Sequence, residues 1–203
     1  AYGWSIYDAD KDGESWNLGY NLFGGDFPEY CHSGKQLLGS ASYSFNNGDI
    51  TPDNWTISPV VSIPEEGAML TWYAAAQSKK RPAEHYSVYV ATEEMIENPE
   101  NLNSLEPVFS ETLNENNVDK WSYQTIDLKP YAGEDVCILF RHHDCTGQWL
   151  LKLDDVFVWT MDKWGNTTGV KTAITDGNAK ISSQELFDVA GRRITTPQKG
   201  VNI

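Results

Sequence analysis

His85-Tyr-Ser-Val-Tyr-Val-Ala-Thr92 is the stretch that decides the fold class. In an extended chain Tyr86, Val88 and Val90 point one way, while Ser87 and Tyr89 point the other. The same alternation recurs in 41–45, 55–63, 68–75, 121–128, 135–142 and 149–159. Turn residues separate these runs: Asn46-Asn-Gly48, Pro64-Glu-Glu-Gly67, Pro130-Tyr-Ala-Gly133 and Thr146-Gly147. One segment, 93–105, has a helical texture, and Pro99 cuts it, so a short turn is all it is expected to form. Short strands at this spacing predict an all-β protein, an antiparallel sandwich or jelly roll.

Beyond Trp164-Gly165-Asn166 the texture changes. Lys171-Thr-Ala-Ile174, 178–182, 184–189 and Arg192-Arg-Ile-Thr195 read as two or three short strands joined at Asp176-Gly177 and Ala190-Gly191. This tail holds too few apolar residues for a core of its own. The expected division is therefore a sandwich domain over 1–164 and a short β tail over 165–203.

With 203 residues, 40% of them hydrophobic, the chain can build a sizeable core and is not compositionally disordered. Its 15 basic and 29 acidic residues give a formal charge of −14, which opposes binding to polyanionic nucleic acid or anionic lipid. The same balance suits divalent cations. No apolar run approaches the roughly 18–20 residues of a membrane span, so no membrane insertion is expected. The chain opens on Ala1-Tyr2-Gly3-Trp4 without a signal peptide, as a mature or trimmed protein does. Cys31, Cys137 and Cys145 are too few for a disulfide scaffold; free thiols are expected, with one disulfide open to an exported chain.

The densest polar group is Asp8-Ala-Asp10-Lys-Asp12-Gly13. Alternating aspartates ending in glycine resemble the first half of a calcium loop, in which hard oxygens converge around a sharp turn. An EF-hand would place a glutamate at the position of Gly19 and helices on either side; both are missing, so a calcium loop of another design is expected. Asp154-Asp155 interrupts the apolar run 150–158. Strand alternation turns one of those carboxylates inward, where a cation would offset its desolvation. Asp8, Asp10, Asp12, Asp154 and Asp155 are thus the candidate ligands of a structural calcium ion.

Signatures of catalysis are missing: HExxH, GxSxG, the P-loop and GxGxxG do not occur. Adjacent His142 and His143 face opposite ways on a strand and do not chelate one ion together. Cys31-His32 is a sequence neighbourhood rather than a catalytic dyad. With 29 acidic residues some carboxylate pair always suits glycoside hydrolysis, which leaves that pattern without content. Most aromatic residues occupy strand positions and belong to a core, although loop aromatics of this kind can stack on sugars.

The segment Trp4-Ser-Ile-Tyr-Asp-Ala-Asp-Lys-Asp-Gly-Glu-Ser-Trp16 resembles the opening of the cleaved-adhesin domains, the haemagglutinin modules of gingipain-like surface proteins of Bacteroidetes. The resemblance runs on, in order, through Ser40-Ala-Ser-Tyr43, Ile50-Thr-Pro-Asp-Asn-Trp55, Ala76-Gln77 and Glu84-His-Tyr-Ser-Val-Tyr89. It continues in Trp121, Thr125-Ile-Asp-Leu128, Tyr131-Ala-Gly133, Phe140-Arg-His-His143 and Leu153-Asp-Asp-Val156. It implies a galactose-binding-like jelly roll with structural calcium, presenting loops to host proteins, haem proteins or glycans. It places Asp8, Asp10 and Asp12 in the acidic opening loop and Asp154 and Asp155 in the closing pair. Glu185-Leu-Phe-Asp-Val-Ala-Gly-Arg-Arg-Ile194 with Pro197-Gln-Lys-Gly200 resembles the sorting tails of exported Bacteroidetes proteins. The expectation is a non-catalytic, monomeric, secreted or surface-associated adhesin module. A carbohydrate-binding accessory module of a polysaccharide-degrading system is the alternative.

Overall fold

The structure, a computed structural model, describes residues 3–118, 120–161, 167–169, 186–187 and 193–194. In chain order the strands are β1 (Ser5–Asp8), β2 (Asn17–Leu18), β3 (Leu38–Ala41), β4 (Tyr43–Ser44), β5 (Gly48–Asp49), β6 (Asn54–Ile57), β7 (Val61–Ser62) and β8 (Met69–Ala76). They continue with β9 (His85–Ala91), β10 (Phe109–Thr112), β11 (Ser122–Asp127), β12 (Asp135–His142), β13 (Leu150–Met161), β14 (Thr167–Gly169), β15 (Leu186–Phe187) and β16 (Arg193–Ile194). One sheet has the order β1-β6-β12-β9-β10, with β7 also on β12. The other runs β11-β8-β13-β3-β2, with β14 also on β13. The pairings within both sheets are antiparallel, as in a jelly-roll sandwich.

The inner faces of the sheets meet in a core that includes Trp16, Leu70, Trp72, Tyr86, Val88, Phe140, Leu151 and Leu153. Burying each such side chain contributes roughly 1.5–3 kcal/mol. The polar ends of the large aromatics are satisfied: Trp72 Nε1 donates to Tyr86 Oη at 3.0 Å, and Tyr86 Oη donates to Glu111 at 2.8 Å. A second apolar cluster, Trp55, Tyr89, Ala91, Leu102, Cys137 and Leu139, lies on the other face of β9 and β12. The segment after β9 covers it, as a four-residue helix α2 (Glu93–Ile96) and a 3-10 turn (Pro99–Ser104), so Pro99 divides the helical pattern as expected.

The alternation read in 85–92 is therefore present but buried on both faces: Tyr86 and Val88 face the inter-sheet core and Tyr89 the second cluster. Run 55–63 is split at Ser58-Pro59 into β6 and β7, because proline carries no N–H for the ladder. A further helix, α1 (Gly19–Phe23), was not expected. Its five residues are too few to show a helical period, and Gly24 closes it at φ 74°.

In the tail, β15 and β16 pair antiparallel, flanking Ala190-Gly191, and β14 extends the second sheet on β13. The other expected tail strands, over 171–174 and 178–182, and the 164/165 boundary lie outside the described residues.

Candidate functional site

The acidic loop leaves the end of β1, where Asp8 pairs with Asn54 of β6 and Ala9 N donates to Asp53 O. Asp8 organises the turn: Lys11 N donates to Oδ1 at 2.7 Å and Gly13 N to Oδ2 at 3.1 Å. Lys11 (φ 59°) and Gly13 (φ 87°) take the left-handed conformations that fold the chain back. One carboxylate oxygen each from Asp8, Asp10 and Asp12 thereby falls within 4.8 Å of the others. Burial raises the Asp10 carboxyl to about 6, helped by its hydrogen bond with Asp8 and the charge of Asp12. Burial also opposes ionisation of Asp8, but bonds from Asp10 and from backbone N–H groups outweigh it and hold that carboxyl below its ordinary value. Asp12 Oδ1 accepts from Glu14 N at 2.8 Å, whereas Asp12 Oδ2 and Ser15 Oγ are buried without hydrogen-bond partners. Converging carboxylates with an unpartnered buried oxygen are a donor set that fits a hard divalent cation such as calcium.

Asp154 and Asp155 do not join that group. The register of β13 against β8 shifts between Asp154 and Phe157, and Asp155 adopts φ 48°. This bulge breaks the strand alternation, so both carboxylates are 4% exposed where one was expected to turn outward. Their partners come from the segment before β3. His32 N and Ser33 N donate to Asp154 Oδ2 at 2.8 and 3.3 Å. Ser33 Oγ donates to Asp155 at 2.7 Å, and His32 Nδ1 lies 2.7 Å from Asp155. Burial, then the Asp155 charge, pushes the Asp154 carboxyl up to about 7. The five aspartates thus occupy two places, a rim loop and an anchor for His32 and Ser33.

A third constellation escaped the sequence reading. Glu84, just before β9, and His142, which ends β12, are wholly buried, and Cys145 in the following loop is 9% exposed. His142 Nε2 lies 2.9 Å from Glu84 Oε2 and 3.2 Å from Cys145 Sγ. On its other side Nδ1 lies 2.8 Å from Ser40 Oγ of β3. Ser42 Oγ donates to both Glu84 oxygens, at 3.1 and 2.9 Å. Burial, then the Glu84 charge, pushes the Cys145 thiol up to about 12. The thiol and carboxylate share one imidazole nitrogen, so this is neither a relay nor an activated nucleophile. A glutamate at the head of an apolar strand and the spacing His-x-x-Cys were the available signals. His143, as expected, faces elsewhere: its Nε2 lies 2.9 Å from Ser87 Oγ. Cys31, Cys137 and Cys145 are free thiols.

The outer surface of the second sheet carries an aromatic group. His32 stacks on Tyr73 with ring centroids 3.5 Å apart, Tyr123 lies 5.1 Å from Tyr73, and Tyr123 is 55% exposed. Trp121 packs beside His32, with Lys152 Nζ 5.1 Å from its ring centroid.

A two-sheet jelly roll with an acidic loop after its first strand has known relatives. The Cleaved Adhesin Domain profile matches residues 1–158. The chain belongs to this family. Hemagglutinin A of Porphyromonas gingivalis W83 is 32% identical over 171 residues, covering 77% of this chain and 8% of that protein. The K1 cleaved adhesin domain of Lys-gingipain from the same strain superposes with a TM-score of 0.62 at 25% identity, over 78% of this chain and 90% of that domain. TmCBM61, solved with β-1,4-galactotriose, shares the fold alone, with a TM-score of 0.51 at 9% identity over 76% of this chain and 86% of that one. This cleaved adhesin domain chain spans about a tenth or less of the length of the curated relatives it matches.

Proposed function

We propose that this cleaved adhesin domain is a non-catalytic, exported binding module whose rim is fixed by calcium in the Asp8–Asp10–Asp12 loop. The convergence of those three carboxylates, with Asp12 Oδ2 buried and unpartnered, is the observation that carries the reading. A divalent cation relieves the repulsion of the loop, gives the orphaned oxygen a partner and holds the turn at one conformation. Calcium would supply charge compensation and rigidity; the loop's own contribution is to position the oxygens through the Asp8 bonds to Lys11 N and Gly13 N. Asp154 and Asp155 act separately as an anchor, holding His32 and Ser33 against β13.

The ligand is a host protein, haem protein or glycan met outside the cell. A glycan-binding accessory role is the second reading, favoured by the exposed Tyr123 beside Tyr73, since aromatic faces stack on sugar rings. Immobilised protein in calcium, offered haemoglobin, matrix proteins and a glycan array, separates the two. Selective protein binding, or glycan binding that survives Tyr123→Ala, supports the adhesin; glycan binding abolished by Tyr123→Ala supports the accessory module. Turnover of any bound glycan would contradict both.

A further inference from the structure

Glu84, His142 and Cys145 share no residue with the acidic loop, and their donor set differs in kind: one carboxylate oxygen, one imidazole nitrogen and one sulfur. Hard cations such as calcium take oxygen ligands, whereas this mixture suits zinc and its neighbours. A tetrahedral zinc centre spaces its nitrogen, oxygen and sulfur ligands about 3.3–3.6 Å apart. The separations here are 2.9 Å (Nε2 to Oε2), 3.2 Å (Nε2 to Sγ) and 3.5 Å (Sγ to Oε2). An ion enters with movements of a few tenths of an ångström.

The imidazole and the carboxylate are also held from behind, as metal ligands commonly are. Ser40 Oγ fixes the imidazole through Nδ1, and Ser42 Oγ fixes the carboxylate. Ser40 receives in turn Asn54 Nδ2 at 3.3 Å, and Asn54 Oδ1 is buried without a hydrogen-bond partner. Three protein ligands leave the fourth position to water. Charge closes as well. A divalent ion with one carboxylate and one thiolate is neutral, which is what a buried site requires. On binding, the thiol proton passes to solvent, and the imidazole takes its proton on Nδ1, facing Ser40.

We propose that Glu84, His142 and Cys145 form a buried zinc-class metal site that ties the β9–β12 pair to β3 across the sandwich. The site takes none of its ligands from the calcium loop.

Cobalt(II) is the probe. Titrated into chelator-stripped protein in excess calcium, it should bind one ion per chain with a thiolate-to-cobalt charge-transfer band and tetrahedral visible bands. Zinc should bleach both. Cys31→Ser and His143→Ala should keep the spectrum, and Cys145→Ser should lose the charge-transfer band. Zinc should raise the melting temperature of the unmodified chain. Absence of the charge-transfer band in the unmodified chain overturns the proposal, whether or not any variant folds. So does a band that survives Cys145→Ser and disappears in Cys31→Ser.

Discussion

Asp154 and His143 pull the stability of the molecule in opposite directions across the same pH range. Asp154 titrates near 7 in the fold, chiefly because it is buried and then because Asp155 is charged, against 3.8 unfolded. A raised carboxyl favours folding most below pH 3.8, and that contribution is lost as pH rises through about 7. His143 is pushed down to about 4 by burial and then by Arg141, with Asp144 opposing. Its contribution is complete above its unfolded value of 6.5 and is lost as pH falls through about 4. Melting in chelator between pH 4 and 7 should therefore fall more steeply on acidification in Asp154→Asn and less steeply in His143→Gln than in the parent. Identical profiles for all three would contradict these assignments. At this scale the sequence revealed the acidic loop, because Asp8, Asp10 and Asp12 lie within one turn. It hid the Glu84–His142–Cys145 group, whose members meet only once β9 and β12 are in register, with His142 opposite Tyr86.

Among the elements, β9 shows how much a period of two can carry. Its alternation identified a strand, and all-β followed from the repeats of that pattern. What the alternation left undetermined was a second buried face, since Tyr89 and Ala91 are covered by the α2–Pro99 segment rather than by the other sheet. Leu102, at 2% exposure, is the plug of that cover. Leu102→Ala should destabilise the domain by about 2–5 kcal/mol, read by denaturant unfolding, while leaving the calcium response intact. A cost under about 0.5 kcal/mol would mean that the segment is a loose surface loop. The bulge in β13 is the other lesson at this scale. Alternation assigned one aspartate inward, and a single residue at φ 48° turned in both. A bulge leaves no period to read, whereas the turn glycines at Gly13 and Gly24 could be read or rationalised from residue type alone.

For the whole molecule, the sandwich places the acidic loop, β3, Glu84 and the loop after His142 near one another, so the rim is where both sheets are joined. Ser40 and Ser42 reach from one sheet to His142 and Glu84 of the other, and Trp16 Nε1 donates to Asn54 O at 2.9 Å. In the proposed function, a chain of formal charge −14 would gain from a divalent cation at such a junction, where carboxylates are brought together by folding. Family and fold were legible because long alternating runs and an ordered set of short motifs span the domain. The ligand was not, because exposed residues such as Tyr123 carry no periodic constraint. The central claim is that calcium fixes the rim through Asp8, Asp10 and Asp12. It is tested most directly by melting chelator-stripped protein with calcium, with magnesium, and with neither. Calcium at about a hundred times its Kd should stabilise by ~2.7 kcal/mol and raise Tm by about 5–10 °C, magnesium should do much less, and Asp12→Ala should abolish the shift. Equal melting in all three conditions would contradict the claim and leave the loop a solvated acidic turn.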